Sequence, residues 1–245
     1  MQLSRPQFLS SLPIDSLAAL MGSIVCLSFS PIFIRLSEME IGPNATAFNR
    51  FWIAAVAFGV LNILSEKEIT PNSEKPHIVQ KAGLLIADGA LLSIGLIFWT
   101  WSLTQTSVAN SSIIHNLIPI FTILGGWLAL GKNFDRRFLL GVLVAIAGAT
   151  LLEINDLFSF SISKQLNGDL AALLSAVFFG VHPLIAERLR TNFNSVTIMT
   201  WSSTTSSLLV LPVVLIAGEQ LFPTSITGWS SAIALAVVGQ MLGIG

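Results

Sequence analysis

The chain has 245 residues, of which 53% are hydrophobic and only 10% charged, with a formal net charge of -1. Soluble domains carry roughly 25% charged residues, so this chain cannot cover a surface that faces water throughout, and a charge near zero gives no footprint for a nucleic-acid partner. The apolar residues run in long blocks without period-two alternation, which excludes a membrane β-barrel and leaves an all-α polytopic membrane protein whose first partner is the lipid bilayer.

In chain order, Met1 to Pro13 are polar and mixed, and Asp15 or Ser16 is placed to cap the first helix. The first apolar run is too long for a signal-peptide core and is read as a retained helix. Eight spans of about 20 residues follow, the length that ~30 Å of hydrocarbon demands at 1.5 Å per residue. They are predicted at Leu17 to Leu36, Ala45 to Leu64, Ala82 to Leu103, Ser107 to Leu130, Phe138 to Leu152, Gly168 to Glu187, Ser195 to Ala217, and Gly228 to the end. The fifth is short, and the eighth stops at Gly245 while still apolar, so the expectation is a C-terminally truncated chain. The lone cysteine, Cys26, lies in an apolar run and has no intrachain partner.

Lys and Arg collect on the cytoplasmic side of a membrane. With the N-terminus inside, the inner segments hold Arg5, Lys67, Lys75, Lys81, Lys132, Arg136, Arg137, Arg188 and Arg190, and the outer loops hold only Lys164. Arg35 and Arg50 fall near outer span ends, and Trp99, Trp101 and Trp229 near the outer interface, with Trp127 near the inner one. The expected location is a plasma (inner) membrane, multi-pass, with the N-terminus cytoplasmic.

Leu170-Ala171-Ala172-Leu173 repeats Leu17-Ala18-Ala19-Leu20, and each run meets a proline about a dozen residues on, at His182-Pro183 and Ser30-Pro31. Five spans separate the copies. An odd number inverts the second unit, the construction of many secondary transporters. The predicted organisation is a cytoplasmic N-terminal segment (1–16), a first five-span repeat (17–153) and an incomplete second repeat of about three spans (168–245).

Asn116-Leu117-Ile118-Pro119-Ile120-Phe121-Thr122, then Leu128-Ala129-Leu130-Gly131, then the run from Gly141 to Gly148, resemble the end of an EamA repeat. Asn49-Arg50-Phe51 resembles the start of its second span, while Gly168-Asp169-Leu170 and Gly239-Gln240-Met241-Leu242-Gly243 resemble places in the second repeat. The chain thus resembles the EamA branch of the drug/metabolite transporter superfamily. The resemblance implies ten spans, both termini cytoplasmic, and movement of small metabolites such as amino acids or nucleobases. One departure is Gly131-Lys132, where the family often has Gly-Glu.

Proline frees a helical carbonyl, and interrupted spans at matching places of two halves point to a transporter site. Pro31 and Pro183, with Ser30 and His182 beside them, are such a pair, or else simple helix bends; Pro119 adds a break in the fourth span. Ionisable groups at mid-bilayer cost at least ~2.5 kcal/mol and face protein or water. Asp88 lies ~9 Å from the inner end of the third span and His182 ~10 Å from the inner face, at 1.5 Å per residue. At one depth they would form a proton-relay pair, since histidine titrates near neutrality; alternatively Asp88 pairs with an inner lysine such as Lys81. His115 and Asn116 in the fourth span are candidate lining residues or helix-packing groups. Arg50 serves either structure or a substrate carbonyl or carboxylate, and Trp99 with Phe98 either an apolar wall or an interface anchor. Gly141, Ala145 and Ala149 form a smooth face for helix packing or a homodimer.

No zinc-protease, nucleotide-hydrolysis or metal-spaced cysteine motif occurs, so no cofactor or metal is expected and transport would run on gradients. The functional expectation is a secondary transporter of a small metabolite working by alternating access, with proton coupling as an option, rather than an enzyme. The alternatives are a membrane-embedded enzyme using Asp88, His115 and His182 as acid and base groups, and a non-transporting fragment.

Overall fold

A computed structural model describes residues 14–66, 78–152 and 166–243, all helical apart from short connections. The helices are α1 (Ile14–Glu38), α2 (Pro43–Glu66), α3 (Ile78–Gln105), α4 (Val108–His115), α5 (Ile118–Leu130), α6 (Arg136–Leu152), α7 (Leu166–Arg190), α8 (Ser195–Ala217) and α9 (Ile226–Ala234). The last continues as a π-helix over Leu235–Leu242. Among the described residues, six segments are long and apolar enough to cross a bilayer: Leu17–Glu38, Pro43–Leu64, Lys81–Gln105, Val108–Leu130, Leu166–Arg190 and Ser195–Ala217. The other two predicted spans are the shorter helix α6 and Ile226–Leu242. Arg5, Lys67, Lys75 and Lys164, which enter the charge argument, lie outside the described residues.

Local chemistry sets the ends. Ser107, Asn194 and Ser225 each turn a side-chain oxygen onto a first-turn amide, from Asn110, Thr197 and Gly228, satisfying donors a helix cannot satisfy itself. Helices α5 and α8 stop at Gly131 (φ 61°) and Gly218 (φ 66°), left-handed positions that glycine occupies without a Cβ clash. Helix α1 begins at Ile14, so Asp15 and Ser16 fall inside its first turn and not at its cap.

Helix α3 packs along α7 and α8, α2 along α8, and α5 and α4 against α7, while α1 and α2 meet α9 and its π continuation. The interior mixes apolar clusters, such as Phe48, Phe51, Val210 and Val214, with many buried small polar side chains, and the exterior is greasy. On α8, Ser202, Ser203 and Ser206 are fully buried while Leu208, Leu215 and Ile216 are exposed. That inversion suits lipid, which is as apolar as leucine, so helices associate through close packing and hydrogen bonds. At the tightest crossing, Ser206 Oγ donates to the Gly89 carbonyl at 2.9 Å. A Cβ on Gly89 would lie 2.4 Å from the Ser202 carbonyl oxygen.

Two sequence expectations change. Helices α1 and α7 run unbroken through Pro31 and Pro183, so neither proline divides its span; neighbouring helices hold the chain helical where the ring removes one bond. The fourth span does divide, into α4 and α5, with Asn116 and Leu117 as the turn and Pro119 near the N-terminus of α5, where a missing amide costs nothing. On α6, a Cβ added at Gly141 or Gly148 would meet nothing within 4 Å, so its small face seats no other described helix there.

Candidate substrate and proton site

Asp88 and His182 come from α3 and α7, the helices that pack along one another near the middle of the bundle. His182 Nε2 lies 3.4 Å from Asp88 Oδ1, the Asp88 side chain is wholly buried, and the histidine is 15% exposed. Neither carboxylate oxygen of Asp88 has a hydrogen-bond partner, nor has His182 Nε2. Lys81, the alternative counter-ion for Asp88, forms no ion pair with it. A wholly buried carboxylate with one imidazole at hand and unfilled lone pairs is an unusual arrangement inside a helical bundle.

His115, at the end of α4, belongs to a second cluster. Its ring stacks on Trp99 with centroids 5.0 Å apart and meets Phe179 edge-on at 5.2 Å, and its Nδ1 lies 3.2 Å from Ser175 Oγ. Phe98 and Phe178 stack at 5.9 Å alongside. Trp99 Nε1 is buried without a partner, so this ring faces the protein and does not anchor at a headgroup layer; Trp101 and Trp127, about half exposed, fit the interfacial role. Glycine makes room at the helix break: a Cβ on Gly180 would lie 2.6 Å from Phe121 Cβ and 3.1 Å from the Ile118 carbonyl oxygen. Asn116 forms the turn itself, its amide bonding the Ser112 carbonyl.

Arg50 joins neither cluster. Its Nε donates to Gln240 Oε1 at 2.8 Å, and its guanidinium lies 5.9 Å from the Phe51 ring centroid. Ser30, buried on α1, has no hydrogen-bond partner. The acid-base alternative asked Asp88, His115 and His182 to converge, and the structure gives His115 a separate set of neighbours.

Sequence reasoning missed Gln240, Ser175 and a pair of carboxylates at the loops. Glu40, just past α1, accepts bonds from Thr224 Oγ1 at 2.6 Å and Ser225 N at 2.8 Å, at the start of α9. Glu219, just past α8, accepts from Ala45 N at 2.7 Å and Asn44 Nδ2 at 2.6 Å, at the start of α2. Each loop's carboxylate therefore caps the helix that follows the other loop, a placement the helix dipole favours. Gly42 and Gly228 leave the space, since a Cβ at either would run into Glu219 or Glu40. The signal was available as an acidic residue two positions after each helix, but the partner lies 174 to 185 residues away.

The hydroxyls of Ser225 and Thr224 hold the Glu40 carboxyl down to about 2, below its ordinary 4.5. A depressed value means the clasp's contribution is full above about 4.5 and is lost as pH falls through about 2. In thermal unfolding across pH, the gap between wild type and Glu40→Gln is expected to stay constant from neutrality to about pH 5 and to close near pH 2. A gap that closes between pH 7 and 5 would contradict this.

The family model for EamA-like transporters matches residues 16–154 and 166–245. An uncharacterized transporter of Archaeoglobus fulgidus is 24% identical over 188 residues, covering 76% of this chain and 62% of that protein. The pseudopaline exporter of Pseudomonas aeruginosa is 24% identical over 162 residues, covering 66% of this chain and 55% of that protein. The chain thus spans a little over half the length of these curated relatives. A solved crystal structure superposes with a TM-score of 0.75 at 17% identity, over 94% of this chain and 77% of that one, which shows a shared fold. The matched family is one of transporters and not of enzymes. Matched along most of its length, the chain belongs to the EamA-like transporter family.

Proposed function

We propose that the protein, a membrane transporter of a small metabolite by family, is an inner-membrane secondary carrier with a cytoplasmic N-terminus. In this reading residues 17–153 form one repeat and 168–245 part of an inverted second one, and the substrate, an amino acid, nucleobase or similar compound, passes between them by alternating access. The course of the helices supports the inversion: the clasp puts the C-terminal ends of α1 and α8 on one face, and α7, which connects to α8 by a short turn, runs opposite to α1. Ser30, Pro31, Arg50, His115, Asn116, Trp99 and Pro183 line or shape the path, and Asp88 with His182 carries the coupling proton.

The observation that carries the coupling is the buried Asp88–His182 pair with open lone pairs. Protonation neutralises Asp88 and lowers the cost of rearranging α3 against α7; deprotonation restores a charge that holds the two helices through the imidazole. The test is movement of a panel of labelled metabolites into proteoliposomes containing the protein, with and without an imposed pH gradient. Accumulation of at least one compound, faster with the gradient, is expected. A panel that never exceeds protein-free liposomes would overturn the carrier, and accumulation indifferent to the gradient would overturn the coupling.

A further inference from the structure

We propose that Arg50, Gln240 and Ser30 form a subsite for a single carboxylate group of the substrate; this rests on the carrier reading above and names the chemical class it would carry. Arg50 stands in the span Pro43–Leu64, and among the described residues no acidic side chain pairs with it. A permanent cation in that setting is costly and asks for an anion.

Its neighbours are arranged as donors. Gln240 is wholly buried; its Oε1 accepts from Arg50 Nε at 2.8 Å, and its Nε2 has no hydrogen-bond partner. Ser30 is 8% exposed as a residue, and its buried Oγ is likewise unpartnered. It sits against the backbone next to Gln240, where a Cβ on Gly239 would lie 2.7 Å from it. Three helices thus bring a guanidinium, an amide N–H and a hydroxyl into one neighbourhood, and the amide N–H and the hydroxyl are buried there without a partner. Buried donors without acceptors are expensive unless something else accepts. The stretch that supplies Gln240 is the π-helix Leu235–Leu242, a wider turn of the kind that recurs at functional sites.

One guanidinium matches a single negative charge. A dianionic phosphate would ask for further Lys or Arg, and a neutral amide would satisfy the geometry but leave the charge unmet. The fork of Arg is built for two-point contact with a carboxylate, with Gln240 Nε2 and Ser30 Oγ left to take further lone pairs.

The test uses the protein in lipid nanodiscs and reads ligand-induced thermal stabilisation with the common amino acids and short-chain fatty acids, each offered as the free acid and as its primary amide. At least one acid is expected to stabilise the wild type at concentrations tenfold or more below its amide. Arg50→Lys keeps the charge but loses the fork, and Gln240→Leu loses a donor; each is expected to weaken that acid about tenfold or more. Gln240→Glu is the decisive variant, because it supplies Arg50 with an internal carboxylate: it should remain folded and lose the acid-over-amide preference. No preference in the wild type, or a preference that survives Gln240→Glu, would overturn the subsite. A wild type that moves compounds in proteoliposomes without favouring acids sinks the subsite alone, whereas one that moves nothing sinks the carrier reading.

Discussion

Asp88→Asn is expected to flatten the pH profile of transport and to lower gradient-driven uptake at least tenfold, while downhill exchange of the same substrate continues. Asparagine keeps the shape and removes the ionisable group, so it separates coupling from packing. Its stability cost should be small, because the wild-type carboxylate already lacks hydrogen bonds. His182→Leu is expected to be worse for folding. Among the described residues it strips the one close ionisable partner from a carboxylate with no exposure, and a buried charge left alone costs about 3–5 kcal/mol. The double variant should recover part of that loss, since it removes the charge as well. Uptake measured at several external pH values, with denaturation of each variant alongside, checks both expectations; an undiminished pH response in Asp88→Asn removes Asp88 from the mechanism.

Gly89→Ala is expected to destabilise the bundle by about 1–3 kcal/mol, the usual penalty for overpacking a close contact. The new methyl would stand 2.4 Å from the Ser202 carbonyl oxygen and 2.7 Å from Thr205 Cβ. The first is backbone, so relief requires α3 and α8 to separate, which stretches the Ser206 hydrogen bond to the Gly89 carbonyl. Because Gly89 follows Asp88 directly, that shift should also reach the proton pair. Gly22→Ala, where a Cβ meets nothing within 4 Å, is the matched control and should change stability little. Equal melting temperatures for the two variants would contradict the packing account.

Among the described residues, hydropathy alone located six segments of spanning length out of the eight predicted, because a bilayer sets one length for them all and lets few charges into them. Helical rise alone put Asp88 and His182 at a common depth, and the structure has them 3.4 Å apart. What depth arithmetic cannot supply is azimuth, the side of the helix a residue faces, so the contacts of His115 with Trp99 and Ser175 were not legible in the sequence. Proline carried mixed information. At Pro119 it coincides with a real break, because the turn at Asn116 and Leu117 lets it sit near a helix N-terminus, where no bond is lost; Pro31 and Pro183 sit mid-helix and are held there by their neighbours. The Glu40 and Glu219 caps and the Arg50 bond to Gln240 join segments more than 170 residues apart. Their partners are ordinary serines, threonines and backbone amides, which local sequence does not distinguish.

The central claim is that two oppositely directed sets of helices enclose the polar interior, and sided labelling tests it most directly. In a Cys26→Ser background, single cysteines replace Met39, just past α1 and 81% exposed, and Thr191, just past α7 and also exposed. A membrane-impermeant thiol reagent is then applied to intact cells and to inverted vesicles. The account predicts that position 39 reacts only in cells and position 191 only in inverted vesicles. Reaction of both from the same side would contradict it.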